Sequence, residues 1–135
     1  MSKINFAKRW EYFTVNELEC RGTGECHMQE DFMSMLVNIR REIDRPLIVS
    51  SGYRSPAHNA RIGGAANSPH IHGRAVDIVC MGTVAYNLIR ISLKHGMTGI
   101  GVSQKGPAEN RFIHIDNIES GRQELLGPRP WVWSY

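Results

Sequence analysis

A chain of 135 residues, 41% hydrophobic and 21% charged, has the bulk for a buried core and reads as a single domain over residues 1–135. The formal net charge of +3 suits a solvated surface and is compatible with an anionic partner such as a cell-wall polymer. No segment offers the roughly 20 apolar residues of a membrane span. No basic, aromatic-interleaved stripe marks a nucleic-acid surface.

The first ten residues, Met1 to Trp10, carry basic side chains with no apolar stretch behind them. They do not read as a secretory signal peptide, so synthesis in the cytoplasm is expected. Thr14-Val15-Asn16-Glu17 has the spacing of a capping box and opens a short helix. The three cysteines are Cys20, Cys26 and Cys80, an odd number that argues against a disulfide scaffold. Cys20 and Cys26, with His27 alongside, are candidates for a second metal site. The alternative is a pair of thiols, because the spacing fits no short zinc knuckle and no fourth ligand is evident. Cys80 is expected to be a small buried hydrophobe.

From Gln29 to Ile43 the residues Phe32, Leu36, Ile39 and Ile43 recur as one face of a helix. Glu30 and Asp31 in its first turn and Arg40 and Arg41 near its end complement the helix dipole. Beyond Pro46, Leu47 to Ser50 is strand-like. Ser55-Pro56 pairs an N-cap with proline at the first helical position, predicting a short helix to about Ile62. Gly63 to Ser68 is a loop and Ala75 to Val79 a strand. Thr83 to Lys94 is a helix with Val84, Leu88 and Ile91 inward and Gly96 near its C-terminal cap. Thr98 to Val102 and Phe112 to Asp116 are short strands. The aromatic tail, Trp131 to Tyr135, forms a last strand or covers the core. The order of elements predicts an α+β domain with a small, mainly antiparallel sheet and flanking helices.

Two stretches carry the chemistry. Ser68 to Asp77 contains His70 and Asp77, and Phe112 to Asp116 contains His114. Two imidazoles and a carboxylate form the ligand set of a catalytic zinc site, which leaves a fourth position for water. A structural site would close with four ligands. Side chains alternate along a strand, so Ile113 and Ile115 face the core while Phe112, His114 and Asp116 face the other way. Val76 and Ile78 likewise oppose Ala75, Asp77 and Val79. Asp77 and His114 can therefore meet on one face, with His70 brought over by a loop turning at Gly73 and small Ala75 leaving room beside the metal. His72 competes with His70 as a ligand, and His27, His58 and His95 read as surface residues. Arg54, in Ser51-Gly52-Tyr53-Arg54-Ser55, can clamp a carboxylate through two parallel hydrogen bonds or pair with an acidic loop.

Ser51-Gly52-Tyr53-Arg54-Ser55 with Asn59, the set Ser68, His70, Gly73, Ala75 and Asp77, and His114-x-Asp116 together resemble the M15 family of zinc peptidases. The closest likeness is to its small members in bacteriophages and prophages. The resemblance covers almost the whole chain. It implies the fold shared by D-alanyl-D-alanine peptidases and the hedgehog signalling domain. It also implies one catalytic Zn2+ held by His70, Asp77 and His114, with Arg54 and Ser68 binding substrate carboxylate. The implied substrates are peptidoglycan stem peptides, cleaved by a carboxypeptidase or endopeptidase activity of endolysin type.

One departure concerns the catalytic acid that several branches of the family carry three residues before the last zinc histidine. Here that position is Arg111, which cannot act as a base. Asp116 and Glu109 are the candidate replacements. Asp116 is favoured because its strand fixes its face, and orienting a ligand without moving protons is its other reading. The expected protein is a monomer that reaches the wall after release by a permeabilising partner. The rival readings are a catalytically inactive, zinc-containing wall-binding module and a structural component of a virion.

Overall fold

The computed structural model describes residues 10–119 and 127–135. The reading of the first ten residues therefore lies outside the described part except for Trp10. Four helices, α1 (Val15–Leu18), α2 (Glu30–Ile43), α3 (Pro56–Arg61) and α4 (Gly82–Lys94), accompany five strands. The strands are β1 (Ile48–Ser51), β2 (Ala75–Val79), β3 (Gly99–Ser103), β4 (Phe112–Asp116) and β5 (Trp131–Ser134). Each expected element is present, with ends displaced by a residue or so.

The helices begin where local chemistry starts them. At α1 the Thr14 hydroxyl accepts from the Glu17 amide, while the Glu17 carboxylate accepts from the Thr14 amide, so the capping box is complete. At α3 the Ser55 hydroxyl accepts from the His58 amide, with Pro56 in the first turn. No side chain caps α2, but Glu30 and Asp31 in its first turn favour its dipole, and Asp44 closes it in the left-handed conformation. The α2 face of Phe32, Met33, Leu36 and Ile39 is buried, and α4 contributes Leu88 and Ile91 to the same core. Full burial of side chains of this size is worth about 1.5–3 kcal/mol each.

The sheet runs β1-β2-β4-β3-β5. The first three pairings are antiparallel, and β5 lies parallel to β3, which makes the sheet mixed. Val76, Ile78, Ile113 and Ile115 are buried toward the helices. The opposite face carries rows set by the register. One row runs Ala75, Asp116, Gly99, Trp131; the next runs Asp77, His114, Gly101, Trp133. The two glycines keep β3 bare beneath large neighbours. A Cβ on Gly99 would collide with the Asp116 carboxylate oxygens, and one on Gly101 would stand 2.8 Å from the Trp133 indole.

Between α3 and β2 the chain forms a 3-10 turn, Pro69–His72, where a plain loop was expected. The Ser68 hydroxyl accepts from the His70 amide to start it, and Gly73 at φ +66° ends it. Cys80 is only half-buried, against the expectation of full burial, because it follows β2 at the strand's end.

Candidate metal centre

Asp77 is central because the sheet places it there. Its partner across the β2–β4 ladder is His114, so both side chains rise from the same row. The 3-10 turn then folds His70 over them. His70 Nδ1 lies 2.8 Å from the Gly52 carbonyl, which can only accept, so the proton sits on Nδ1 and the Nε2 lone pair is free. Gly52 approaches closely because it has no side chain. A Cβ there would stand 2.6 Å from the Leu18 carbonyl oxygen, and Tyr53 donates to that same carbonyl at 2.8 Å.

His114 has the opposite tautomer. Its Nε2 donates to Asp116 Oδ2 at 2.7 Å, which leaves Nδ1 facing Asp77 Oδ1 at 3.0 Å. His70 Nε2 stands 3.2 Å from the same Asp77 oxygen. One ligand atom from each of His70, Asp77 and His114 falls within a 4.8 Å cluster, and all three residues are buried. Two imidazole lone pairs and a carboxylate oxygen converging in this way fit a divalent ion that prefers nitrogen and oxygen donors. His72 is not in the cluster. Cys20, Cys26 and His27 form no such group among the described residues, and no disulfide joins the three cysteines.

Charge follows from contact. Burial would push the Asp77 carboxyl up, but the two imidazoles against it, His70 first and then His114, outweigh burial and hold the group well below the ordinary range. Burial likewise pushes His70 down, and there the opposing attraction of Asp77 is too small to reverse it. For His114 the hydrogen bonds to Asp116 and Asp77 overcome burial and raise it. Burial thus favours the neutral form of His70 that a metal ligand needs, whereas the carboxylates around His114 favour its proton and set it in competition with a metal.

Asp116 stands behind His114. Arg129 donates to both of its oxygens, Nε to Oδ1 at 3.0 Å and Nη2 to Oδ2 at 2.9 Å. The arginine thus holds the carboxylate, which holds the imidazole. Arg129 escaped the sequence reading because it lies 13 residues beyond Asp116, outside every motif. Only its position just before the aromatic tail hinted at it. Glu109 is placed elsewhere. It is exposed in the short 3-10 turn Ala108–Asn110 and borders a separate cleft with Ser50, Val79 and Arg111. Arg111 folds back to donate to the Gly106 carbonyl at 3.0 Å.

The cluster opens into a cavity of about 530 Å3. Arg54, Ser68, Phe112, Arg129, Trp133 and Tyr135 are among the residues that line it. Arg54 Nε donates to Ser51 Oγ at 3.1 Å and Nη1 to Asn59 Oδ1 at 3.3 Å, while Nη2 lies 3.6 Å from Asp77 Oδ2. The guanidinium is thereby held with one edge beside the ligand carboxylate. The Ser68 hydroxyl accepts from the His70 amide at 3.2 Å and keeps its own hydrogen for a ligand.

The family described as Peptidase M15 matches residues 11–116, which includes every motif of the site up to the second histidine stretch. The chain belongs to the peptidase M15 family. It is also similar to the zinc D-Ala-D-Ala carboxypeptidase of Streptomyces albus G, with 33% identity over 72 residues, 53% of this chain and 28% of that protein. The matched region is therefore well under half the length of that relative. The described fold, α+β with a five-stranded mixed sheet, is consistent with a small M15 peptidase.

Proposed function

We propose that this protein is a zinc-dependent peptidase that hydrolyses peptidoglycan stem peptides, as a D-Ala-D-Ala carboxypeptidase or an endopeptidase. The observation that carries the reading is the convergence of His70 Nε2, Asp77 Oδ1 and His114 Nδ1 at the base of a cavity whose wall bears Arg54. Membership of the M15 family supports the activity, and the printed activity of the Streptomyces albus G relative supports the substrate class.

His70, Asp77 and His114 would hold a single Zn2+, which when bound supplies a Lewis acid for the scissile carbonyl and lowers the pKa of water. Arg54 would receive a carboxylate of the peptide, with Ser68 as a second donor, so that the scissile bond is presented in one orientation. Asp116 fixes the tautomer and direction of His114. Both of its oxygens are already engaged, which argues for this orienting role over proton transfer. Glu109 borders a different cleft, and its candidacy as a base has no support from its position.

The biological setting follows from the resemblance to small phage members of the family. The protein would act on the wall as an endolysin, after synthesis in the cytoplasm and release through a permeabilised membrane, as a monomer. No helix among the described residues is long and apolar enough to cross a membrane.

A second reading, a zinc-bearing wall-binding module without catalysis, is favoured by one observation. Among the described residues lining the cavity, the only side-chain carboxylate is that of Asp77, a proposed ligand. Mass spectrometry of fragments released from purified peptidoglycan separates the two. Zinc-dependent release of a defined fragment, abolished by chelator, is the expected outcome, and the fragment mass names the bond. Zinc bound in stoichiometric amount with no fragment released establishes the binding module instead.

A further inference from the structure

The cavity contains a protic side chain that no motif accounts for. Trp131, Trp133 and Tyr135 share the site-facing side of β5 and its extension, because strand residues alternate. Trp133 lies in the row of Asp77, His114 and Gly101, with its ring 5.0 Å from the His114 ring. Tyr135 follows one step beyond the ladder, where its amide donates to the Val102 carbonyl at 3.2 Å. Its ring is 5.1 Å from Phe112 and 6.4 Å from Trp133. The side chain thus lines the same cavity as Arg54 and the His70–Asp77–His114 cluster.

The other titratable groups lining this cavity are committed. Arg54 and Arg129 are permanent cations, and His70, Asp77 and His114 are the ligand set. Burial raises the phenol above its usual range, the neighbouring Trp133 opposes this in part, and the charge of Asp77 adds to the rise. The group is protonated at neutral pH.

We propose that Tyr135 is a catalytic residue, the proton donor to the leaving nitrogen, and that it stands in for the acid missing at Arg111. The proposal rests on the peptidase reading. The balance requires no further base. The oxygen of a water adds to the scissile carbonyl carbon, and the carbon–nitrogen bond breaks as the phenol proton passes to nitrogen. The phenolate then takes back one proton from the water-derived oxygen. The remaining proton of the new carboxylic acid is lost to solvent, leaving a carboxylate and an amine.

The test compares wild type with Tyr135→Phe, which removes one oxygen from a half-exposed side chain at the sheet edge. The first readout is independent of turnover. Phenolate absorbance is titrated at alkaline pH with and without zinc. Zinc in the cluster should move the titration of one tyrosine downward in wild type and of none in the variant. Unmoved titration in wild type overturns the proposal.

The second readout is kinetic, on a stem peptide and on the matching ester, whose alkoxide leaves with less need of a proton. The variant should retain its zinc stoichiometry and KM, lose about 100-fold in kcat on the peptide and far less on the ester. Peptide cleavage within twofold of wild type overturns the assignment of Tyr135 and leaves the peptidase standing. An equal loss on peptide and ester also overturns it. A wild type that binds zinc, shifts its tyrosine and cleaves nothing overturns the peptidase reading, and the proton-donor role falls with it.

Discussion

At the scale of single residues, the centre is built by pairing each histidine with a group that fixes its proton. A main-chain carbonyl does this for His70 and a carboxylate for His114, so the two rings offer different nitrogens to the same oxygen of Asp77. The carboxylate is itself held on both oxygens by Arg129. Asp116→Asn keeps the size of the side chain but removes the charge that strengthens His114 as a ligand. Metal affinity, read by competition with a chromogenic chelator, should fall about 10- to 100-fold, the usual cost of losing such a partner. His70→Ala or Asp77→Ala should abolish stoichiometric binding in the same assay, since each removes a donor outright.

At the scale of elements, β3 matters by being bare. It contributes no ligand, yet Gly99 and Gly101 leave the space that Asp116 and Trp133 fill. Gly99→Ala places a methyl group against a buried carboxylate held between Arg129 and His114, so the strand or the carboxylate must move. We expect a loss of about 1–3 kcal/mol in urea unfolding, as for other overpacked positions. Weaker metal binding should accompany it, because Asp116 cannot shift without releasing His114. A stability loss with unchanged metal affinity would show that β3 moves and the carboxylate chain does not.

At the scale of the whole molecule, the buried charges couple folding to pH. Asp77 and Asp116 have folded-state values depressed below 3.8, that of a free aspartate. Their contribution is therefore complete above about pH 4 and lost as pH falls through the folded values. Near pH 6.5 the two histidines oppose each other. His114, raised, stabilises on the acid side, and His70, lowered, destabilises there. Metal-free protein should accordingly show a melting temperature that drops as the pH falls below about 4, with the two histidines pulling in opposite directions between pH 5 and 7. Scanning calorimetry in the presence of chelator measures this. A steep change near pH 6.5 instead would mean that one histidine dominates.

The sequence by itself determined the elements and the sidedness of the strands. Caps at Thr14 and Ser55, the helical spacing from Phe32 to Ile39 and the alternation in β2 and β4 are local signals, each carried by a few consecutive residues. That alternation was enough to put Asp77 and His114 on one face, and the motifs were enough to name the family. Only the tertiary structure decided what lies behind and around the cluster. The Gly52 carbonyl reaches His70 from 18 positions away, and Arg129 reaches Asp116 from 13. Tyr135 meets the site only because β5 adds to β3 in parallel, an order no local pattern encodes. Glu109, close to His114 in sequence, turned out to border another cleft, because the 3-10 turn before β4 carries it away. Hydrogen bonds between distant segments depend on register and on the order of strands. Those are set by the packing of the whole core, so residues that act through them leave no spacing to read.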